Sequence, residues 1–301
     1  MKKRSLIYLA TTLASVVSCS LAWNAIETSA IDTGLDADGY TGILESRIHK
    51  CSVPGPSQRR MYIYLPEGYY GSDERYPVLY LLHGARGNEM SWILKGNLLH
   101  NIDSLTTCRM MEKTIVVLPN VNQYNDDNDY GKGRLKGAVE SLFESDGHVE
   151  DGFIHDVVRA VDTLYRTIPA KEARAIAGLS IGAMQAMHIS ANVPDMFDYI
   201  GMFSPMVHPA YSLPGSSDFY KRLRVKQKIQ FLSPPSVYSI MIGRSDFYYP
   251  RMKAFVRYLA RKHYPYEFIV TKGGHEWYNW EEYANMFMKE LWKGNQYPHN
   301  N

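Results

Sequence analysis

The fold of this chain is decided by the stretch RAIAGLSIG, residues 174–182. It starts with a short, mostly apolar segment that is typical of a buried strand. Gly178 and Gly182 flank Ser180, and a tight turn from a strand into a helix needs small neighbours of this kind. A serine at such a turn points its hydroxyl away from the sheet. The stretch therefore predicts a nucleophilic serine between a strand and a helix, and the alternative is a glycine-rich turn with an incidental serine.

Strand-like and helix-like segments alternate around this turn. Residues 43–48 and 60–65 alternate apolar and polar side chains as half-buried strands do, which predicts an antiparallel edge of the sheet. Further strands are predicted at residues 77–82, 114–118, 174–177, 199–203, 237–242 and 266–271. Apolar residues at helical spacing predict helices over residues 154–164, 252–259 and 280–291. This order predicts a three-layer α/β sandwich around a mostly parallel central sheet.

The composition is that of an ordinary soluble globular protein, with 45% hydrophobic and 21% charged residues. The net charge of +2 indicates neither a nucleic-acid partner nor an anionic membrane surface. The chain is rich in aromatic residues that carry polar tips, with 23 Tyr and 5 Trp. Such side chains suit surfaces that bind sugar rings, although most of them are expected in the core.

The first residues have the pattern of an export signal. Basic residues at positions 2–4 precede an apolar run at 6–17, which has the length of a signal-peptide core and is too short to span a bilayer. The run ends in VVSC, which resembles a bacterial lipobox, so Cys19 is the expected lipidation site. Cleavage after Ala22 and a buried apolar first helix are the alternatives. Export would place the protein in the periplasm or at the cell surface, with possible membrane anchoring through the lipid.

These patterns divide the chain into three parts. Residues 1–22 are predicted to be the signal peptide and residues 23–41 an irregular leader or tether. Residues 42–295 are predicted to form a single α/β domain that carries the catalytic residues. An oxidising compartment permits a disulfide between Cys51 and Cys108, but the sequence leaves their pairing open. No CxxC motif or Cys/His cluster has zinc-binding spacing, so no structural metal is expected.

Two residues further along the chain could activate Ser180. A serine hydroxyl needs a general base, and the base needs a carboxylate to orient it. Asp246 follows the predicted strand 237–242, and His275 follows the next one. The order Ser, Asp, His is that of α/β-hydrolases. Since ligand sites in such sheets lie at the carboxyl ends of the strands, the three side chains are expected to converge.

Other residues compete for these two roles. The remaining histidines downstream of Ser180 are His188, His208, His263 and His299. His188 falls inside the predicted helix after the serine, and none of the four follows a late strand as His275 does. Glu276 and Asp218 are the fallbacks for the orienting carboxylate, and Asp246 could instead be a solvated loop residue.

Two backbone N–H groups are expected to stabilise a developing oxyanion. Ile181 lies at the start of the helix after the serine, where N–H groups have no partner within the helix. The second donor is expected in the loop 82–87 after the first central strand, where the His83-Gly84 dipeptide allows close approach of the backbone. The N–H of Ala85 is the candidate. His83 itself is expected to be structural, with a role as catalytic base as the alternative.

Four motifs occur in a characteristic order: YIYLPEGY (62–69), YPVLYLLHG (76–84), AGLSIG (177–182) and GHEWYNW (274–280). Together they resemble the α/β-hydrolase esterase family that includes feruloyl and acetylxylan esterases of bacterial plant-wall degradation. Enterochelin esterases, S-formylglutathione hydrolases and mycolyltransferases belong to the same family. The resemblance covers about residues 42 to 293.

Within this family the chain is most similar to the feruloyl and acetylxylan esterases, a likeness that includes LPNVN (118–122) and Trp92. The resemblance implies a protein without metal or organic cofactor. By motif match it also assigns the triad and the two oxyanion donors to Ser180, Asp246, His275, Ala85 and Ile181. The chain departs from the family at Ala183, where a second glycine is common, and Arg86 stands where relatives vary.

The expected reaction is hydrolysis of a carboxylic ester through an acyl-enzyme. The expected substrates are small esters or acylated plant-wall carbohydrates, with feruloyl or acetyl as the acyl group. Aromatic side chains would stack on an aromatic acid or a sugar ring. The residues predicted to line the cleft are Trp92, Tyr124, Tyr248, Trp277 and Trp280.

Three other functions fit the same fold. An acyltransferase would deliver the acyl group to a sugar instead of water. A non-catalytic surface protein that binds carbohydrate would not need the triad that this chain is predicted to have. A peptidase is disfavoured because the sequence has no added lid or propeller segment.

Overall fold

In residues 40–53, 57–122, 147–206 and 222–294, which the computed structural model describes, eight strands form one sheet. The strands are β1 Ile43–Lys50, β2 Gln58–Leu65, β3 Val78–Leu82, β4 Ile115–Pro119, β5 Arg174–Leu179, β6 Tyr199–Phe203, β7 Val237–Gly243 and β8 Glu267–Thr271. Their order across the sheet is β1-β2-β4-β3-β5-β6-β7-β8.

The sheet combines an antiparallel edge with a parallel centre. β1 pairs antiparallel with β2, and Ile43 lies opposite Leu65. β2 is also antiparallel to β4. All pairs from β4 through β3 and β5 to β8 are parallel. The predicted mostly parallel sheet with antiparallel N-terminal edge strands is therefore confirmed.

Helices cover both faces of the sheet. They are α1 Ser91–Gly96, α2 Leu98–Thr107, α3 His148–Phe153, α4 Arg159–Leu164, α5 Ile181–Asn192, α6 Leu223–Gln230, α7 Tyr249–Arg261 and α8 Trp277–Glu290. A π-helical segment, Ile154–Val158, joins α3 to α4. Buried residues of α3, α4, α5 and α7 pack on one face of the sheet, and those of α1, α2 and α8 pack on the other.

The central strand β3 shows how the sequence forms these layers. Val78, Tyr80 and Leu82 pack into the core on one face, while Leu79 and Leu81 pack into the core on the other. Every residue of β3 is buried, which explains why its sequence is a continuous apolar run instead of an alternating one. Burying each large apolar side chain contributes roughly 1.5–3 kcal/mol.

The structure also bears on the cysteines and on the N-terminal predictions. Cys51 is half-buried and Cys108 is exposed, and both are free thiols. The signal segment, the leader up to residue 39 and Cys19 lie outside the described residues. Of the helices in the described part of the chain, none has the length and apolar character needed to cross a bilayer.

Candidate active site

Ser180 occupies the turn between β5 and α5, in a backbone conformation that few residues adopt. Its φ of 54° and ψ of −113° lie outside the favoured regions. Its N–H donates to the Phe203 carbonyl at 2.8 Å, and its own carbonyl accepts from the N–H of Met184 at 3.2 Å. Such strain persists only where the surrounding structure enforces it, and it is concentrated at functional sites.

The two glycines beside Ser180 allow three backbone segments to meet at this turn. A Cβ on Gly178 would lie 2.6 Å from the carbonyl carbon of Gly182. A Cβ on Gly182 would lie 2.2 Å from the carbonyl oxygen of His83, at the end of β3. Since real Cβ contacts are never this short, side chains at these positions would push α5 away from the sheet and move Ser180.

The three predicted triad residues form one hydrogen-bonded chain. Ser180 Oγ lies 2.9 Å from His275 Nε2, and His275 Nδ1 lies 2.9 Å from Asp246 Oδ2. When Nδ1 carries the proton, it donates to the carboxylate, and Nε2 is free to accept the serine proton. The Asp246 side chain is fully buried, and that of His275 is 15% exposed. The structure therefore brings together the three residues predicted to be the nucleophile, the base and the orienting carboxylate.

Asp246 is held as an anion by its neighbours. Burial alone raises the pKa of its carboxyl group, but the hydrogen bonds from His275 and the Tyr248 N–H outweigh that effect, so the pKa lies below its ordinary value. The Tyr248 N–H donates to Oδ1 at 2.8 Å. The carboxylate can thus stabilise the positive charge that His275 gains when it takes a proton.

The alternative residues that the structure describes do not reach these positions. Glu276 accepts a hydrogen bond from the Gly274 N–H at 2.9 Å and so braces the loop before α8. His188 is buried in α5, where desolvation, helped by Lys226, lowers its pKa to about 3. His263 is exposed at the end of α7. Asp218, His208 and His299 lie outside the described residues.

The loop after β3 passes directly beside the nucleophile. A Cβ on Gly84 would lie 3.4 Å from Ser180 Cβ. Ala85 follows in this loop, and Ile181 begins α5 with no side chain capping the helix. The two predicted oxyanion donors thus lie on chain segments that meet at Ser180. Their role as donors stays a prediction.

His83 is a buried structural residue. Its Nδ1 donates to the Gly84 carbonyl at 2.8 Å, and its Nε2 accepts from the Val121 N–H at 3.1 Å. Burial lowers its pKa to about 4. Both ring nitrogens are therefore engaged in holding the loop, and His83 stays neutral instead of acting as a base.

A second layer of polar contacts fixes the same loop, and the sequence analysis did not identify it. Asn120 donates from Nδ2 to Glu89 Oε2 at 2.8 Å, and its Oδ1 accepts from the Asn122 N–H at 3.0 Å. Asn120 and Glu89 are both buried. The sequence did contain a signal for Asn120: this polar residue directly follows the carboxyl end of β4, and the site lies at the carboxyl ends of the parallel strands. Among the described residues, no three His, Cys, Asp or Glu side chains are grouped to hold a metal ion.

The predicted cleft aromatics have different positions in the structure. Trp92 is 1% exposed, and its Nε1 donates to the Leu82 carbonyl at 3.0 Å. The prediction that Trp92 lines the cleft is therefore corrected: it is a core residue and presents no face to a substrate. Tyr124 lies outside the described residues.

The other three predicted aromatics lie near His275. The ring centroid of Trp280 is 4.9 Å from that of His275, and the centroid of Tyr248 is 5.5 Å from it. Both side chains are more than nine-tenths buried. Trp277 is half-buried and packs edge-on against Trp280, with ring centroids 5.4 Å apart. Trp280 and Tyr248 thus enclose the histidine ring.

Phe247 also contacts the triad, and the sequence analysis missed it. Its ring centroid lies 4.5 Å from that of His275 and 4.5 Å from that of Tyr248. It is 66% exposed. Its position next to Asp246 suggests that it lies near the site. The sequence alone, however, does not show whether Phe247 or its neighbour Tyr248 has the exposed ring.

Comparison with known proteins identifies a family for this chain. The family model described as Putative esterase matches residues 55–287. An endo-1,4-beta-xylanase/feruloyl esterase of Xylanibacter ruminicola is 29% identical over 237 residues, which are 77% of this chain and 29% of that protein. The chain thus spans less than a third of the length of this curated relative.

Several solved structures share the fold. A ferulic acid esterase of the fungus Anaeromyces mucronatus superposes with a TM-score of 0.64 at 20% identity, covering 88% of this chain and 95% of that one. S-formylglutathione hydrolase of Staphylococcus aureus also gives 0.64, at 19% identity over 84% and 98% of the two chains. The feruloyl esterase module of Clostridium thermocellum gives 0.66, at 16% identity over 87% and 92%.

Proposed function

The chain belongs to the Putative esterase family, and we propose that it is a serine esterase that hydrolyses carboxylic esters. The observation that carries the proposal is the continuous contact from Ser180 Oγ through His275 to Asp246, with 2.9 Å at each step. A serine in this arrangement can lose its proton to the base as it attacks a carbonyl carbon.

The proposed reaction has two halves. In the first, Ser180 Oγ attacks the ester carbonyl while His275 Nε2 takes its proton, and the N–H groups of Ile181 and Ala85 stabilise the oxyanion. His275 then gives the proton to the leaving alcohol, and an acyl-serine remains. In the second half, His275 takes a proton from a water molecule as that water attacks the acyl-serine carbonyl; the bond to Ser180 Oγ then breaks, His275 returns the proton to Oγ, and the acid leaves.

The proposed substrates are acylated plant-wall carbohydrates, with feruloyl as the favoured acyl group and acetyl as the alternative. The name of the Xylanibacter ruminicola relative combines xylanase and feruloyl esterase, which supports this class. The exposed ring of Phe247, which contacts His275, provides aromatic surface at the reacting centre. We also propose that the protein works outside the cytoplasm, since polymeric wall substrates are found there and residues 1–22 have an export pattern.

The test is ester cleavage by the purified protein and its Ser180→Ala variant. The panel contains acetyl, butyryl and feruloyl esters, including esters of xylan-derived oligosaccharides. We expect the wild type to cleave feruloyl esters and the variant to lose at least about 10⁴-fold in kcat, because the nucleophile is removed. Ser190→Ala is the matched control: the hydroxyl of this buried serine of α5 donates to the Met187 carbonyl, and its loss should leave kcat unchanged.

Each result distinguishes among the candidate functions. Cleavage that survives in Ser180→Ala contradicts the assignment of the nucleophile. Activity on acetyl esters alone contradicts the feruloyl proposal and leaves an acetyl esterase. A new sugar ester formed when a sugar acceptor is present identifies an acyltransferase, and a wild type without activity on any ester favours the non-catalytic alternative.

A further inference from the structure

Phe247 lies on the rim of the site, in direct contact with the catalytic base. Its ring is inclined by 45° to that of His275, with 4.5 Å between the centroids. The preceding residue, Asp246, binds the other side of the same histidine through Nδ1. With 66% of its surface exposed, Phe247 offers one face to His275 and Tyr248 and leaves the rest of its ring to solvent.

The fold does not require an apolar ring at this position. The backbone N–H that supports Asp246 belongs to Tyr248, and the core contact next to His275 is made by the buried ring of Tyr248. A single exposed apolar side chain is common on protein surfaces, so exposure alone carries no weight. The informative observation is that this exposed ring packs on the group that transfers the proton.

The direction of proton transfer defines the two sides of the cleft. His275 Nε2 must reach the oxygen of the leaving alcohol, so the alcohol binds next to the histidine ring. The loop with Gly84 approaches Ser180 directly, with a Cβ position only 3.4 Å from Ser180 Cβ, and it carries a proposed oxyanion donor. The carbonyl oxygen therefore points toward that loop, while the alcohol lies toward His275, the residue whose ring Phe247 contacts.

We propose that Phe247 is a specificity-determining residue that binds the alcohol portion of the ester. Its exposed face packs against the apolar C–H face of a sugar ring, a contact that a small alcohol such as methanol does not make. The ring has no charge and no hydrogen-bonding group, so it selects by shape and apolar surface. This inference rests on the proposed function and adds to it which residue recognises the carbohydrate.

The experiment uses four esters that separate the two halves of the substrate. Acetyl and feruloyl groups are each joined either to methanol or to a xylan-derived oligosaccharide. In Phe247→Ala we expect kcat/KM for the oligosaccharide esters to fall roughly fivefold to tenfold, mainly through KM. The methyl esters should stay within about twofold of the wild type, because chemistry at Ser180 is unchanged.

Two further variants act as controls. Phe247→Tyr keeps the aromatic face and should restore the preference for oligosaccharide esters. Tyr70→Ala removes an aromatic ring of similar exposure, 63%. Tyr70 follows the carboxyl end of β2, which runs antiparallel to the parallel strands, so it lies at the edge of the sheet opposite to the triad. This variant should leave all four rates unchanged.

The outcomes separate this inference from the proposed function. Equal losses on methyl and oligosaccharide esters show that Phe247 acts on the triad, and losses that depend on the acyl group place it on the acyl side. Either result overturns the inference, as does an unchanged Phe247→Ala. A wild type that cleaves acetyl esters only contradicts the feruloyl proposal, yet the contrast between its two acetyl esters still tests Phe247. A wild type inactive on all four overturns both.

Discussion

A buried carboxylate keeps its charge only where hydrogen-bond donors surround it, and Asp246 meets this condition. Its fully buried side chain accepts from His275 through one oxygen and from the Tyr248 N–H through the other. The lowered pKa of Asp246 means that the residue is ionised wherever the protein is folded near neutral pH. Its contribution to the site is therefore a fixed negative charge and a fixed orientation of the histidine ring.

Replacing Asp246 with Asn tests this contribution. The amide group donates a hydrogen bond to His275 Nδ1, so it selects the tautomer that carries its proton on Nε2 and cannot accept one from Ser180. We expect kcat to fall about 10³- to 10⁴-fold with little change in KM, measured by steady-state kinetics on the best ester. Asp198→Asn is the matched control. Asp198 is also a buried carboxylate that accepts a hydrogen bond from a backbone N–H, that of Ser236, but it lies at the amino end of β6, away from the site. A loss in the control as large as that in Asp246→Asn would contradict the assigned role.

The convergence of Ser180, Asp246 and His275 could be predicted because their expected chemistry is tied to chain order. Asp246 and His275 each follow a late strand, and a parallel sheet brings such positions together. The role of an aromatic residue has no such sequence marker. Trp92 follows the His83-Gly84 loop as a cleft residue could, but its position inside the core depends on the packing of α1 against α8. Likewise, the sequence does not show which of the neighbours Phe247 and Tyr248 exposes its ring beside His275, because this depends on how the loop packs.

At the scale of elements, the turn at Ser180 depends on the packing of α5 against the end of β3. This contact is between backbones, as the 2.2 Å separation between a Cβ on Gly182 and the His83 carbonyl oxygen shows. Any side chain at Gly182 would separate the nucleophile from the loop that carries Ala85. The glycine thus links the stability of the fold to the geometry of the site.

Gly182→Ala should therefore affect stability and activity together. We expect the free energy of unfolding, measured by urea denaturation, to fall by about 1–3 kcal/mol because backbone atoms must move to admit the methyl group. In the folded variant, kcat should fall as well, since Ser180 shifts relative to the loop. Gly71→Ala is the control, because its Cβ would meet nothing within 4 Å. Full activity and stability of Gly182→Ala would mean that this close approach is not needed.

The accuracy of the element predictions depended on what each segment buries. The strands were predicted well, since β3 to β7 are buried runs of apolar residues. The helix α2 was not predicted, although Leu98, Leu99, Ile102 and Leu105 are buried at helical spacing, a pattern that the sequence does contain. The helix α6 was also not predicted, but for a different reason. Its buried residues are Gln227 and Gln230, while Val225 and Ile229 are exposed. Apolar periodicity cannot reveal a helix that buries its polar side chains.

At the scale of the whole molecule, the sequence predicted the class of the sheet and its parallel character but not the order of its strands. Strand order depends on pairing between distant segments, such as β3 with β5, and such pairs leave no periodic mark in the sequence. The match of the family model to residues 55–287 falls within the predicted domain 42–295, whose boundaries stay a prediction. Export and lipidation at Cys19 stay predictions as well.

The global stability of the fold should depend on pH through buried histidines, and His83 and His188 are two of them. Burial lowers the pKa of His83 to about 4 and that of His188 to about 3, whereas both titrate near 6.5 in an unfolded chain. As the pH falls below about 6.5, the unfolded chain binds protons that the folded chain does not. The free energy of unfolding should therefore decrease by about 1.4 kcal/mol per pH unit for each histidine, until the pH reaches its folded pKa.

His188→Gln isolates one of these contributions, because His188 lies in α5 and is not part of the triad. Urea denaturation at pH 7.5, 6 and 5 should show that the wild type loses stability steeply below about pH 6.5, and that the variant loses about 1.4 kcal/mol less per pH unit. The stability of the variant at pH 7.5 is measured separately, since the substitution also changes packing. Ser190→Ala, which replaces a buried polar residue of the same helix, should keep the wild-type slope because serine does not titrate in this pH range. An unchanged slope in His188→Gln would show that His188 takes up a proton in the folded protein and that burial does not keep it neutral.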